Sequence, residues 1–216
     1  MKILLVLGFV SLSSLTLAQT VWYNGDANGN ADVTLANNGL LTTVYEDFVW
    51  NSSESAKSIT AMVIQDPFAS QVNWEIRQGM DVGTANSGTL ITSGTTTSYF
   101  TDLGIFAGNT FFHILKMTAD IGSVALSNGG SDFLGISLVP TGPSYVAAML
   151  TTSGLNGVGS PLNNHNAMLI QNGVLFGSGG LDLSMGISAS PVPEPVSLVG
   201  VGIGTLALLM RRRKLA

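Results

Sequence analysis

The hydrophobic pattern changes character twice along the chain. Ile3 to Val10 form an unbroken apolar run, Gln19 to Ser190 carries its apolar residues in short clusters, and Val196 to Met210 is again apolar and free of charge. In the central part no window shows the i, i+3, i+4, i+7 repeat of an amphipathic helix. Short runs of Val, Ile, Thr, Tyr, Phe and Trp alternate instead with Gly, Asn and Ser clusters, which is the pattern of strands and turns. The clearest run is Val72 to Arg77, where Val72, Trp74 and Ile76 fall on one face and Asn73, Glu75 and Arg77 on the other. That alternation predicts a half-buried strand with Glu75 and Arg77 as neighbours on its wet face.

Further strands are predicted at Val21 to Tyr23, Leu40 to Trp50, Ser58 to Ile64, Thr89 to Ser93 and Thr96 to Phe100. Others follow at Thr110 to Met117, Phe133 to Val139, Tyr145 to Leu150, Ala167 to Gln171 and Val174 to Phe176. Asn38-Gly39, Ser87-Gly88, Ser93-Gly94, Asn128-Gly129-Gly130 and Asn172-Gly173 supply turn chemistry between them. The last, flanked by apolar residues, suits a tight hairpin. Roughly ten short strands imply an all-β fold, a single antiparallel β-sandwich or jelly-roll-like domain. A domain of this size buries enough surface to be stable without disulfides. The division is a signal peptide at 1–18, the β ectodomain at 19–190, and a sorting segment with a hydrophobic helix at 191–216.

Charge sharpens this division. The net charge is −5, but Lys2 and the run Arg211, Arg212, Arg213 and Lys214 lie at the two ends. Between Gln19 and Pro195 only Lys57, Arg77 and Lys116 face all thirteen acidic residues, a net −10. A nucleic-acid binder needs a basic footprint, and this body has the opposite sign. The absence of Cys excludes disulfide frameworks, zinc ribbons, iron–sulfur clusters and thiol catalysis.

Both ends read as addresses. Lys2, the apolar run after it and the small residues of Thr16-Leu17-Ala18 form a secretory signal peptide, with an uncleaved anchor as the alternative. At the other end, Val192-Pro193-Glu194-Pro195 precedes the apolar stretch and the basic run. A helix of that stretch would be about 22 Å long, short of a hydrocarbon core of about 30 Å. The basic run would stay on the cytoplasmic side, and the Pro-rich piece would remain extended and open to processing. An ordinary tail anchor has the same physical features. Gly200, Gly202 and Gly204 are no dinucleotide fingerprint, because no strand precedes them.

The order of motif, apolar tail and Arg cluster resembles the PEP-CTERM sorting signal of Gram-negative bacteria. The resemblance covers about the last 26 residues, with Val192, Pro193, Glu194, Pro195, Arg211, Arg212, Arg213 and Lys214 as the matching positions. It implies recognition by an exosortase-type processing enzyme, transient residence in the inner membrane, and association with exopolysaccharide and biofilm. Such signals sit on bodies of many kinds, so the resemblance concerns sorting. A second one involves Tyr23-Asn24-Gly25-Asp26, Val44-Tyr45-Glu46-Asp47-Phe48, Trp74-Glu75-Ile76-Arg77-Gln78-Gly79 and Gly88-Thr89-Leu90. These blocks look like one recurring, functionally uncharacterised type of PEP-CTERM ectodomain, which implies a secreted all-β body and no reaction.

Candidate chemistry is sparse. Asp26, Asn28, Asn30 and Asp32 place oxygen-bearing side chains at alternate positions, as the front of a Ca²⁺ loop does. The twelfth position is Asn37 and no helix flanks the segment, so a Gly/Asn-rich turn explains it better. Glu46, Asp47 and Glu75 are candidates for a glycosidase pair, although neighbours on a strand face opposite sides. His113 shares a predicted face with Phe111 and Leu115, as a hydrogen-bonded, partly buried histidine would, and His165 lies in an Asn-rich loop. Nucleophile-elbow, His-x-Glu and phosphate-loop motifs are absent. Trp22, Tyr23, Trp50 and Tyr99 could offer stacking surfaces to sugars, the alternative being core positions.

Together these features point to a non-catalytic protein, exported and then held in the cell envelope or extracellular matrix, with a structural or adhesive role. A carbohydrate-binding, lectin-like module is the alternative, and a secreted glycan-active enzyme stands behind both. No cofactor is implied beyond the Ca²⁺ candidate.

Overall fold

A computed structural model describes residues 20–37, 40–66, 69–106, 112–142 and 146–189, with backbone alone at 31–34, 36, 37, 40, 41 and 66. The segments expected to be a signal peptide (1–18) and a sorting segment (191–216), and the expected Asn38-Gly39 turn, lie outside the described residues. Among those residues no helix is long and apolar enough to cross a membrane.

The body is all-β and antiparallel. Its strands are β1 (Thr20–Tyr23), β2 (Ala27–Asn37), β3 (Leu40–Val49), β4 (Ala56–Asp66), β5 (Gln71–Gln78) and β6 (Thr89–Ile105). They continue with β7 (His113–Val124), β8 (Ser131–Leu138), β9 (Val146–Thr152), β10 (Met168–Gln171), β11 (Val174–Gly177) and β12 (Met185–Ser188). Pairing runs β4-β7-β6-β5-β8-β3, and β2 and β9 link β3 back to β4, so the curled sheet closes on itself. The β12-β1 pair extends from β4 and the β10-β11 hairpin from β3. In that hairpin Asn172 and Gly173 both have positive φ, which is what a tight turn with the twist of its strands requires.

Three segments differ from the pattern reading. The Ser93-Gly94 turn is absent, and β6 runs through it as a 17-residue strand. Gly94 sits opposite Trp74, and a Cβ there would lie 3.0 Å from the indole. The glycine makes room for a ring rather than bending the chain. Ala27 to Asn37, expected as a loop, pairs with β9 through repeated register shifts, which a polar Gly/Asn-rich strand needs to follow a curved partner. Met185–Ser188, unassigned in the sequence, is a strand wedged between β1 and β4.

The curl encloses one main core. Val44 and Phe48 of β3, Val72 and Ile76 of β5, and Leu134 and Ile136 of β8 are fully buried on its inner wall. Trp22 and Trp50 are also 0% exposed. Each of these rings removes about 150–250 Å² from water, an upper figure of about 4–6 kcal/mol of stabilisation. Their polar ends are satisfied: Trp22 Nε1 donates to the Pro161 carbonyl at 2.9 Å and Trp50 Nε1 to that of Glu54 at 3.1 Å. Trp22 also meets Phe48 at a ring separation of 5.8 Å.

Candidate functional site

The strongest candidate is a groove on the outward face of β3, β8, β5 and β6. Alternation along β5 turns Val72, Trp74 and Ile76 inward and leaves Asn73, Glu75 and Arg77 outside. Antiparallel register then assembles two polar rows across the strands. In one, Asn73 stands between Ser137 and Thr95, with Thr43 at the level of Ser137. In the other, Glu75 stands between Gly135 and Ser93, and Tyr45 lies beyond Gly135. Thr43, Asn73, Glu75, Ser93, Thr95 and Ser137 line an open groove of about 240 Å³.

Gly135 lets one end of this groove form. A Cβ there would lie 2.5 Å from Tyr45 Cε1 and 2.9 Å from Glu75 Cγ. Without it, the Tyr45 ring crosses β8 and its hydroxyl donates to Glu75 Oε1. Arg77 Nε donates to the same oxygen at 2.8 Å, while Nη1 reaches the Ser87 carbonyl at 3.2 Å. Burial raises the Tyr45 phenol well above its ordinary value, and the hydrogen bond to the Glu75 carboxylate adds to the shift. The same carboxylate, hydrogen-bonded to Arg77, raises the guanidinium further. Tyr45 therefore stays a donor and Arg77 a cation, and both hold Glu75 in one orientation. At the other row Thr95 Oγ1 donates to Asn73 Oδ1 at 2.7 Å.

The expected sites lie elsewhere or are differently built. Trp22 and Trp50 are core residues and offer no exposed ring, a correction to the stacking surface. Tyr23 is half-buried, its hydroxyl donating to Asp26 Oδ1 at 2.9 Å, and burial pushes the phenol up to about 12. Tyr99 is 39% exposed but sits where β6 pairs with β7, past the residues that line the groove. In the proposed Ca²⁺ segment, Asp26 Oδ2 accepts from Asn156 at 2.7 Å, and Asn28 Oδ1 accepts from the Asn30 amide and from Thr151. These oxygens already hold protein donors; the Asp32 side chain lies outside the described residues. Among the described residues no group of three or more His, Asp or Glu is placed to hold a metal ion.

The carboxylate candidates divide by face. Glu46 is fully buried on the core side, its Oε2 accepting from the Leu183 amide at 2.7 Å and its Oε1 without a partner. Asp47 is also buried, and both its oxygens accept from Asn164 at 3.1 Å. Burial raises Glu46 well above the usual carboxylate range, and the negative charges of Asp182 and Asp47 add to this. Burial raises Asp47 too, opposed by hydrogen bonds from Asn166 and Asn164. Glu46 points into the core and Glu75 out of the sheet, so the two cannot flank one glycosidic bond. Among the described residues, Glu75 is the sole carboxylate lining the groove. His113 is half-buried with Nδ1 2.7 Å from Asp102 Oδ2, whereas His165 is an exposed loop residue 3.2 Å from Asp182.

Sequence reasoning singled out Asn73, Glu75 and Arg77 but missed Thr43, Tyr45, Ser93, Thr95, Gly135 and Ser137. Alternation marks which residues of one strand face out; it does not say which strands lie side by side.

No family model and no curated protein matches the chain. Among solved structures, it is similar to the cysteine protease and lectin-like domains of Cwp84, a surface layer associated protein of Clostridium difficile, with 13% identity and a TM-score of 0.41. The likeness covers 69% of this chain and 32% of that one, so this chain spans about a third of the protein it matches. At that level it carries nothing about ligand or activity.

Proposed function

We propose that this chain is a non-catalytic, exported protein of a Gram-negative envelope or extracellular matrix, whose β body, of sandwich or jelly-roll type, attaches to exopolysaccharide. Segment 1–18 directs export. Segment 191–216 holds the protein in the inner membrane until an exosortase-type enzyme reads Val192 to Pro195. The observation that carries the attachment is the groove: two rows of short polar side chains in cross-strand register on an open sheet face. Such rows offer many donors and acceptors to a hydroxyl-rich polymer. A single carboxylate among the described lining residues supports binding over hydrolysis, which needs two.

The test is retention of the full-length protein on exopolysaccharide from its own cells, with reducing sugar followed in the same mixture. Retention without release of reducing ends supports the reading. Absence of retention removes the attachment, and turnover removes the non-catalytic role. Sorting is tested separately by replacing Arg211 to Lys214 with neutral residues, which should trap precursor of unprocessed mass.

A further inference from the structure

We infer that the groove grips one neutral sugar residue by two adjacent hydroxyls, Glu75 accepting from one and Asn73 donating to the other. This rests on the glycan-binding reading and specifies its ligand.

The hydrogen-bond inventory of the two side chains leads to this assignment. Glu75 Oε1 already accepts from Tyr45 and from Arg77, whereas Oε2 has only a long 3.5 Å contact to Arg77 Nη2. Acceptor capacity therefore remains on Oε2. Asn73 is the complement: its Oδ1 is taken by Thr95, and among the described residues its amide hydrogens have no partner. The Thr95 bond turns those hydrogens away from β6 and leaves them for a ligand. One free acceptor and one free donor thus stand two residues apart on the same face of β5, about 6.8 Å between backbones. A carboxylate only accepts and an amide NH₂ only donates. A hydroxyl does both, so two neighbouring hydroxyls can bridge the pair, each turned in a set direction.

Four further features narrow the class. The groove's volume of about 240 Å³ suits one ring of a polymer rather than a stretch of it. Ser93, Ser137 and Thr43 surround that ring with hydroxyls that rotate to suit. Charge favours a neutral sugar at long range: Arg77 offsets Glu75 at the site, but the body carries −10 between Gln19 and Pro195. A uronate or sulfate would meet the repulsion of that net charge. Finally, little aromatic face is offered: Trp74 borders the groove, but the residue is only 7% exposed and its indole is packed over Gly94. Hydrogen bonds alone then hold the sugar, so a free monosaccharide should bind at about millimolar strength, and polymer attachment should gain by repetition. Tyr45 and Arg77 are positioning residues that keep Oε2 turned toward the ligand.

The test uses full-length protein on immobilised dextran, mannan, galactan and the cells' own exopolysaccharide. Each is presented untreated and after periodate oxidation with borohydride reduction, which destroys adjacent hydroxyl pairs while preserving a neutral polymer. Retention on at least one untreated neutral polymer is expected, with a loss of tenfold or more after periodate. Asn73→Ala and Asn73→Asp should lose a similar factor at an unchanged thermal midpoint, and a uronate polymer should bind less than its neutral counterpart. Glu75→Gln provides a second variant, since it keeps shape and one acceptor but releases Arg77. Equal binding before and after periodate, or wild-type binding by Asn73→Ala, overturns the diol grip while glycan attachment stands. Preference for the uronate overturns the neutral class. Retention on none of the polymers overturns the glycan reading itself.

Discussion

Strands β5 and β3 belong to the same sheet but handle their two faces differently. On β5 the inward residues Val72, Trp74 and Ile76 are at most 7% exposed, while Asn73, Glu75 and Arg77 face the solvent side and are only partly covered. On β3 both sides are covered: Val44, Glu46 and Phe48 lie in the core, and Tyr45 and Asp47 are also at most 8% exposed. The wet face of β5 is free for recognition, because changing it costs the core nothing. The acids of β3 are closed in, so they act on stability and its pH dependence. Carboxylates on both strands look alike in sequence; coverage decides which can meet a ligand.

The severest challenge to this contrast is a core truncation. Trp50→Ala should lower stability by about 3–5 kcal/mol in denaturant unfolding, with the surviving folded fraction still retained on glycan. Gly135→Ala comes next: its methyl group collides with the Tyr45 ring, at a cost of about 1–3 kcal/mol, and it displaces the Glu75 carboxylate from the groove. This variant links the two strands, so it should damage both stability and binding.

Glu46→Gln tests the buried side of β3 through pH. Glu46, Asp47 and Asp132 all have folded pKa values raised chiefly by burial. Their stabilising contribution is complete below the ordinary carboxylate range and is lost as pH climbs through the raised values. The wild-type melting midpoint should therefore fall as pH rises from about 4 toward 8, and Glu46→Gln should flatten that slope. The variant should gain on the wild type as pH rises, since its amide never brings a charge into the core. A midpoint that rises with pH contradicts this assignment. Asn73→Ala should alter stability by no more than about 0.5 kcal/mol while weakening glycan retention. The smallest effect expected is that of a chelator: with Asp26 and Asn28 already satisfied by Tyr23, Asn156, Asn30 and Thr151, the midpoint should not move.

The Val72 to Arg77 alternation was legible in the sequence and found as β5, including the Glu75–Arg77 pair at 2.8 Å. The Asn172-Gly173 hairpin was legible for the same reason: both depend on residues adjacent in the chain. Covered strands hid their roles, because Glu46 and Asp47 stand among Val44, Tyr45 and Phe48 without any alternation to mark an inner side. Gly94 was ambiguous for another reason. A glycine that makes room for a neighbouring ring reads the same as one that turns the chain, and only the partner strand distinguishes them. Trp22 and Trp50 were open to either reading until their surroundings in the core were known.

The central claim is that recognition sits on the outward face of β5 and stability on its inward face. Its most direct measurement compares wild-type and Asn73→Ala full-length protein, with thermal midpoints recorded beside retention on the cells' own exopolysaccharide. Equal midpoints with a tenfold or greater loss of retention are expected. Equal retention by the two proteins would contradict the claim.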